Sequence, residues 1–143
     1  LNKFYPVGNW NNQEDSMELT ETNGSIKLSY NAKEVNIVTE NYAELEIFLD
    51  GVPLTKEYQG TDMTEGNKLK VSNPGMYNII SNEISSTHTM EIKIQGEGFQ
   101  IFTFTFGFFL FKSCDKWRKC FDLKKYISAV YKKFGHLTMC ILL

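Results

Sequence analysis

Cysteine is missing from the first 107 of the 143 residues, and the whole chain has only two histidines, three prolines and two tryptophans. Three cysteines, Cys114, Cys120 and Cys140, all fall after Gly107. Cys114 and Cys120 are six positions apart, not the three of a redox Cys-x-x-Cys. Six positions is about 1.7 helical turns, which sends the two thiols to different sides. A dithiol exchange site is therefore not expected. Three cysteines with His136 could ligate zinc, but their spacing fits no common zinc pattern, and no metal is expected. His88 and His136 have no neighbouring serine or cysteine that suggests a nucleophile–base pair, so no catalytic residue is assigned.

Other absences narrow the field further. No repeat of 20–50 residues is present, which sets aside solenoids and propellers. The longest apolar run, Ile101–Phe111, is too short and too rich in threonine to cross a bilayer, and a soluble chain is expected. No basic, apolar, small-residue succession opens the chain, and no signal peptide is expected within this stretch. Leu1 in place of an initiating methionine is what a fragment or a processed product gives. The compartment is not legible from such a piece.

What is present is enough for one packed domain: 42% hydrophobic and 14% aromatic residues over a length that suits one core rather than two. A net charge of −2 hides a split. Residues 1–107 carry 7 Lys/Arg against 15 Asp/Glu, a balance of −8, whereas residues 108–143 carry 8 against 2, a balance of +6. The composition changes at Gly107, which divides the chain into a body, 1–107, and a basic, cysteine-containing tail, 108–143.

The body reads as strands. In Thr87–Gly107, the side chains of His88, Met90, Ile92 and Ile94 share one face, and Thr87, Thr89, Glu91 and Lys93 the other. Gln95-Gly96-Glu97-Gly98 supplies turn residues, and Phe102, Phe104 and Phe106 then alternate with Ile101, Thr103 and Thr105, which predicts a hairpin. Upstream, Ser25–Tyr30, Ala32–Thr39, Glu44–Asp50, Lys68–Ser72 and Met76–Ser81 read as separate strands. Asp50-Gly51 is a hairpin turn signal, with Val52-Pro53-Leu54 as a short edge piece beyond it. About eight short strands with turns between them predict a mainly β fold, a two-layer antiparallel β-sandwich of jelly-roll type. The tail reads differently. Trp117, Cys120, Phe121, Ile127, Val130, Tyr131 and Phe134 recur at helical spacing, so the sandwich is expected to be followed by a C-terminal amphipathic helix.

Candidate chemistry is sparse. The acidic residues Glu44, Glu46, Asp50, Glu57, Asp62 and Glu65 lack EF-hand spacing and read as a solvated surface. Gly96-Glu97-Gly98 is too short and too acidic to cradle a phosphate. Trp10, Tyr58 and Tyr77, with amides such as Asn11, Asn12 and Asn78 near them, are the candidate ligand-binding residues, because planar rings beside amides suit a sugar. The lysine-rich face of the tail suits contact with an anionic membrane, or docking on the acidic body. The acidic body would repel phosphate, so nucleic acid is not an expected partner.

The segments Phe4–Trp10, Asn31–Val38, Ile47–Thr55, Gly75–Ile80, His88–Ile92 and Phe102–Gly107 resemble the C-terminal domain of DipZ-type thioredoxin-like proteins. The resemblance implies a β-sandwich like a carbohydrate-binding module, attached to a thioredoxin-fold domain and, in proteins of DipZ type, extracytoplasmic. It implies no cofactor, no catalytic residue and no enzyme activity. Three roles remain open under it: an accessory module positioning a partner or substrate, a genuine carbohydrate-binding domain, and a structural cap. The tail from Phe108 has no counterpart in that family. It is a lineage-specific extension, a translated non-coding stretch, or a real amphipathic helix.

Overall fold

Two unusually long strands carry the architecture. Strand β4 (Asn23–Glu40, 18 residues) and strand β8 (Gly75–Gln95, 21 residues) run antiparallel from Asn23↔Gln95 to Thr39↔Gly75. The computed structural model describes residues 3–106 and 139–142. The remaining strands are β1 (Lys3–Val7), β2 (Trp10–Asn12), β3 (Met17–Leu19), β5 (Ala43–Leu49), β6 (Val52–Pro53), β7 (Lys68–Val71), β9 (Gln100–Phe106) and β10 (Met139–Leu142). Among the described residues, a 3-10 turn, Lys56–Tyr58, interrupts them.

Each long strand serves both layers of a sandwich. Its outer partners change at a break in the register, where Ala32 pairs with Ser86 but Glu34 pairs with Ser81. Lys33 alone on β4 therefore stands against Asn82, Glu83, Ile84 and Ser85 on β8. Such a bulge bends a strand and breaks its ladder, which lets one continuous ribbon turn from one layer into the next. Before the bend, the first half of β4 lies between β1 and the second half of β8, and β8 is flanked in turn by β5. Beyond it, the second half of β4 lies between β9 and the first half of β8. Strands β3 and β10 share the other edge of β9.

Alternation fills the space between the layers. Ala43, Leu45, Ile47 and Leu49 of β5 are buried with Met90, Ile92 and Ile94 of β8 and with Ile26, Leu28 and Tyr30 of β4. Ile37, Phe99, Ile101, Phe104 and Phe106 close the core from the opposite layer. On the water side of the first layer the same strands pair charges: Lys27 with Glu91, Lys68 with Glu46 and Lys70 with Glu44. These pairs are exposed or, at Glu91, partly exposed, and each contributes at most ~1 kcal/mol.

The sandwich expected from the pattern is the fold observed, with three differences of detail. Thr87–Gly107 is not a hairpin: β8 pairs with β4 and β5, β9 pairs with β3, β4 and β10, and the connection crosses from one layer to the other. Segments expected as separate strands, Ser25–Tyr30 with Ala32–Thr39 and Met76–Ser81 with Thr87–Ile94, are continuous through the bend. In β9, a further bulge sets Val38 opposite Thr103 but Thr39 opposite Ile101, so Phe102 is the extra residue. Ile101 consequently joins the core cluster and Phe102 does not, although both are buried. The helix expected across Trp117–Phe134 lies outside the described residues, while Met139–Leu142 adds a strand to β9.

Candidate functional site

The three aromatic residues singled out from the sequence do not form one platform. Trp10 begins β2 at one end of the second layer, half-buried, and its indole Nε1 donates to the Val7 carbonyl at 3.1 Å. Tyr77 lies on the first half of β8, and its hydroxyl donates to the Asn73 carbonyl at 2.6 Å, closing the turn before that strand. Both pack against the core with their polar atoms already satisfied inside the chain. Tyr58 ends the 3-10 turn and meets His88 edge-on, with ring centroids 5.7 Å apart. Among the described residues, no ring contact joins any two of the three.

Tyr58 instead marks a polar corner assembled from four places in the sequence. Asp50 occupies the β5–β6 turn with φ of 52°, and Gly51 follows with φ of 85°. This left-handed pair is the hairpin geometry that Asp-Gly favours. The turn aims the Asp50 carboxylate at β8, where Oδ1 accepts the Thr89 N–H at 2.8 Å and Oδ2 lies 2.6 Å from His88 Nδ1. His88 Nε2 lies 2.8 Å from Ser86 Oγ, and Asn82 Nδ2 donates to that oxygen at 3.2 Å. With the His88 proton on Nδ1, donors run in one direction, from Asn82 to Ser86 to His88 to Asp50.

The electrostatics follow from this wiring. Burial raises the Asp50 carboxyl, but the Thr89 N–H and the His88 ring outweigh it and hold the group below its ordinary value. Tyr30 pairs with His88 across the strands, with their rings 6.2 Å apart, and stacks on Phe106 at 5.8 Å. Burial first, and then the Asp50 charge, push its hydroxyl well above the ordinary phenol range, so it stays protonated. Among the described residues, two buried polar atoms here have no partner, Tyr30 Oη and Asn82 Oδ1.

Sequence spacing pairs no serine with His88 and leaves spatial contact open; Ser86, two residues away on the same strand, lies within hydrogen-bond distance of its ring. An aspartate, a histidine and a serine thus stand in the order used for acyl transfer. Two features separate the corner from such a centre. The Asp50 side chain is 55% exposed, so water screens its charge, and Ser86 Oγ already accepts from Asn82. Elsewhere, Glu44 and Glu46 face lysines, and Asp62 accepts the Asn78 N–H at 2.8 Å. Among the described residues no three His, Cys, Asp or Glu side chains gather to hold a metal ion.

Comparison with known proteins adds the context. Residues 1–107 match the family described as the thioredoxin like C-terminal domain. Protein DipZ of Mycobacterium bovis and Protein DipZ of Mycobacterium tuberculosis are each 26% identical to this chain over 106 residues, covering 74% of it. The chain corresponds to only 13% of the length of those relatives. Among solved structures, a family two carbohydrate esterase from Clostridium thermocellum in complex with cellohexaose superposes with a TM-score of 0.59 at 13% identity, over 73% of this chain and 31% of that one. An active-site mutant of such an esterase gives 0.56, also at 13% identity, over 75% and 32%. At that identity the likeness is one of fold.

Proposed function

Because this chain belongs to the thioredoxin-like C-terminal domain family, we propose that it is a non-catalytic accessory module of a thioredoxin-like redox protein, holding a partner or substrate in reach of a thioredoxin-fold domain. The carrying observation is the match over residues 1–107, a stretch without cysteine and hence without the thiolate that disulfide exchange requires. The relatives support it, since this region is a small part of a much longer protein in each. A module tethered beside a reacting domain acts by raising the local concentration of what it binds.

Disulfide reduction tests this reading. The chain alone should reduce insulin no faster than a variant with all three cysteines replaced. Joined to its thioredoxin-fold domain, it should lower KM for a natural disulfide substrate and leave kcat unchanged. Turnover by the chain alone, or identical KM with and without it, would refute the proposal.

Carbohydrate binding is the second reading, and one observation favours it. The corner at His88 combines a half-buried tyrosine ring with a run of neutral hydrogen-bonding groups. Sugar sites need such a mixture. The fold shared with esterases solved with cellohexaose is compatible with that use.

A further inference from the structure

Strand β9 is built to lie inside a sheet. Residues 101–106 are buried on both of its faces, and Gln100–Phe106 holds no charged residue and no proline. Other edges are guarded: β1 carries Lys3 and Pro6, β7 carries Lys68 and Lys70, and β6 is two residues long and ends in Pro53. Lysine, proline and short length are the devices that keep an open edge from pairing with another chain. β9 has none of them. Within residues 1–107, however, the described strands cover its outer edge only at Gln100 and Ile101, where β3 pairs. Over residues 103–106 the partner is Met139–Leu142, from outside the stretch that matches the family.

We propose that this edge, residues 103–106 of β9, is a strand-addition site for an extended, uncharged segment of another polypeptide, and that Met139–Leu142 occupies it as a displaceable competitor. This names the partner class for the accessory role above and rests on that reading. Strand addition draws its affinity from main-chain hydrogen bonds, which every polypeptide can make, and its selectivity from alternate side chains. A module that presents varied disulfide substrates to a thioredoxin-fold domain needs that combination. The segment in place shows what the edge accepts: Met-Cys-Ile-Leu, antiparallel and without charge. Set beside a strand buried on both faces, a charged segment would lose water without gaining a partner.

The connection makes the competitor exchangeable. The chain leaves β9 at Phe106 and comes back at Met139, directly opposite it, after residues 107–138. A hairpin needs only about two to five residues for that return. A tether this long holds its end at no more than about millimolar effective concentration, low enough for a second strand to displace it. β10 also offers only 4 residues to the ladder, against 18 in β4. Among the described residues it pairs with β9 alone, so its departure breaks no other ladder.

The test is fluorescence polarisation with a labelled peptide, Thr-Met-Ser-Ile-Leu-Leu-Lys-Lys, copied from residues 138–143 with serine for cysteine and two lysines for solubility. Two variants of the full chain set the edge open or closed. Cys140→Pro with Ile141→Pro opens it, because whichever of the two N–H groups faces β9 is removed. Thr105→Cys, made with Cys114→Ser and Cys120→Ser, closes it on oxidation. Positions 105 and 140 stand opposite in the register, and opposed Cα atoms lie about 4.5–5.5 Å apart, within disulfide range. The open variant should bind the peptide at least about tenfold more tightly than the native chain, since it has lost the competitor. The reduced Thr105→Cys chain should bind it and the oxidised chain should not. Reduced carboxymethylated α-lactalbumin, a permanently extended polypeptide, should compete. Equal binding by the oxidised and reduced forms of that one chain would overturn the proposal, even if the open variant fails to fold. So would a dimer of the native chain that the disulfide abolishes, since the occupant is then a second copy. Absence of peptide binding, with the KM effect of the joined thioredoxin-fold domain retained, would overturn strand addition and leave the accessory role standing.

Discussion

Asp50 Oδ2 and His88 Nδ1 lie 2.6 Å apart although 38 residues separate them in sequence. The contact ties the β5–β6 turn to the middle of β8, and the Thr89 N–H on the other carboxylate oxygen completes it. Asp50→Ala removes both hydrogen bonds and places a Cβ-bearing residue without a turn-forming side chain at φ of 52°. A loss of about 1–2 kcal/mol is expected. Urea unfolding measures it, and Asp50→Asn, which tolerates the same backbone, should lose less.

The same aspartate makes stability depend on acid. Its carboxyl is held low in the folded chain, so the folded state binds fewer protons than the unfolded one. Its contribution is complete above the ordinary carboxylate range near ~4 and is lost as pH falls through the lowered folded value. The side chain is more than half exposed, so the effect is modest. Thermal melts taken from about pH 6 down to about pH 2 should show Tm falling further in the native chain than in Asp50→Asn.

Tyr30 presents the opposite case. Its ring is fully buried and stacked on Phe106, but its hydroxyl has no partner among the described residues. Tyr30→Phe keeps the packing and removes the stranded oxygen. The variant should be as stable as the native chain or up to about 1–2 kcal/mol more so. Chemical denaturation checks the sign, and a clear loss of stability would mean that the hydroxyl is satisfied in the unliganded protein.

Gly60 is a matter of space. A Cβ there would lie 2.2 Å from the Asn78 carbonyl oxygen and 2.5 Å from its carbon, both backbone atoms that cannot swing away. Gly60 N also donates to the Ile79 carbonyl at 3.1 Å, holding the loop against β8. Gly60→Ala should cost about 1–3 kcal/mol through forced displacement of that loop. Differential scanning calorimetry would register it as a lowered Tm.

The parts of this fold that sequence displays are those set locally. Leu45, Ile47 and Leu49, and Met90, Ile92 and Ile94, alternate because one face of each strand is wet, and Asp50-Gly51 declares its turn through its backbone preference. What sequence hides is decided by partners far away. Gly96 and Gly98 look like a hairpin turn, yet the Gly96 and Gly98 N–H groups bond to the Thr22 and Leu19 carbonyls and the chain changes layers. Lys33 reads as part of a strand and Asn82–Ser85 as a loop, and only the pairing of two long strands makes them a bend. The swap of Ile101 for Phe102 in the core follows from one extra residue in the register. At the candidate site, Tyr58 was legible as an aromatic, whereas its meeting with His88, Asp50 and Ser86 depends on the assembled sandwich.

The central claim is that this domain works by holding molecules and forms no covalent bond with them, even though Ser86, His88 and Asp50 are aligned. Exposure of the full chain to a fluorophosphonate probe, with p-nitrophenyl acetate hydrolysis followed in parallel, tests it most directly. The account predicts no label on Ser86 and hydrolysis equal to that of Ser86→Ala. Labelling of Ser86 that disappears in His88→Ala, together with turnover lost in the same variant, would contradict it.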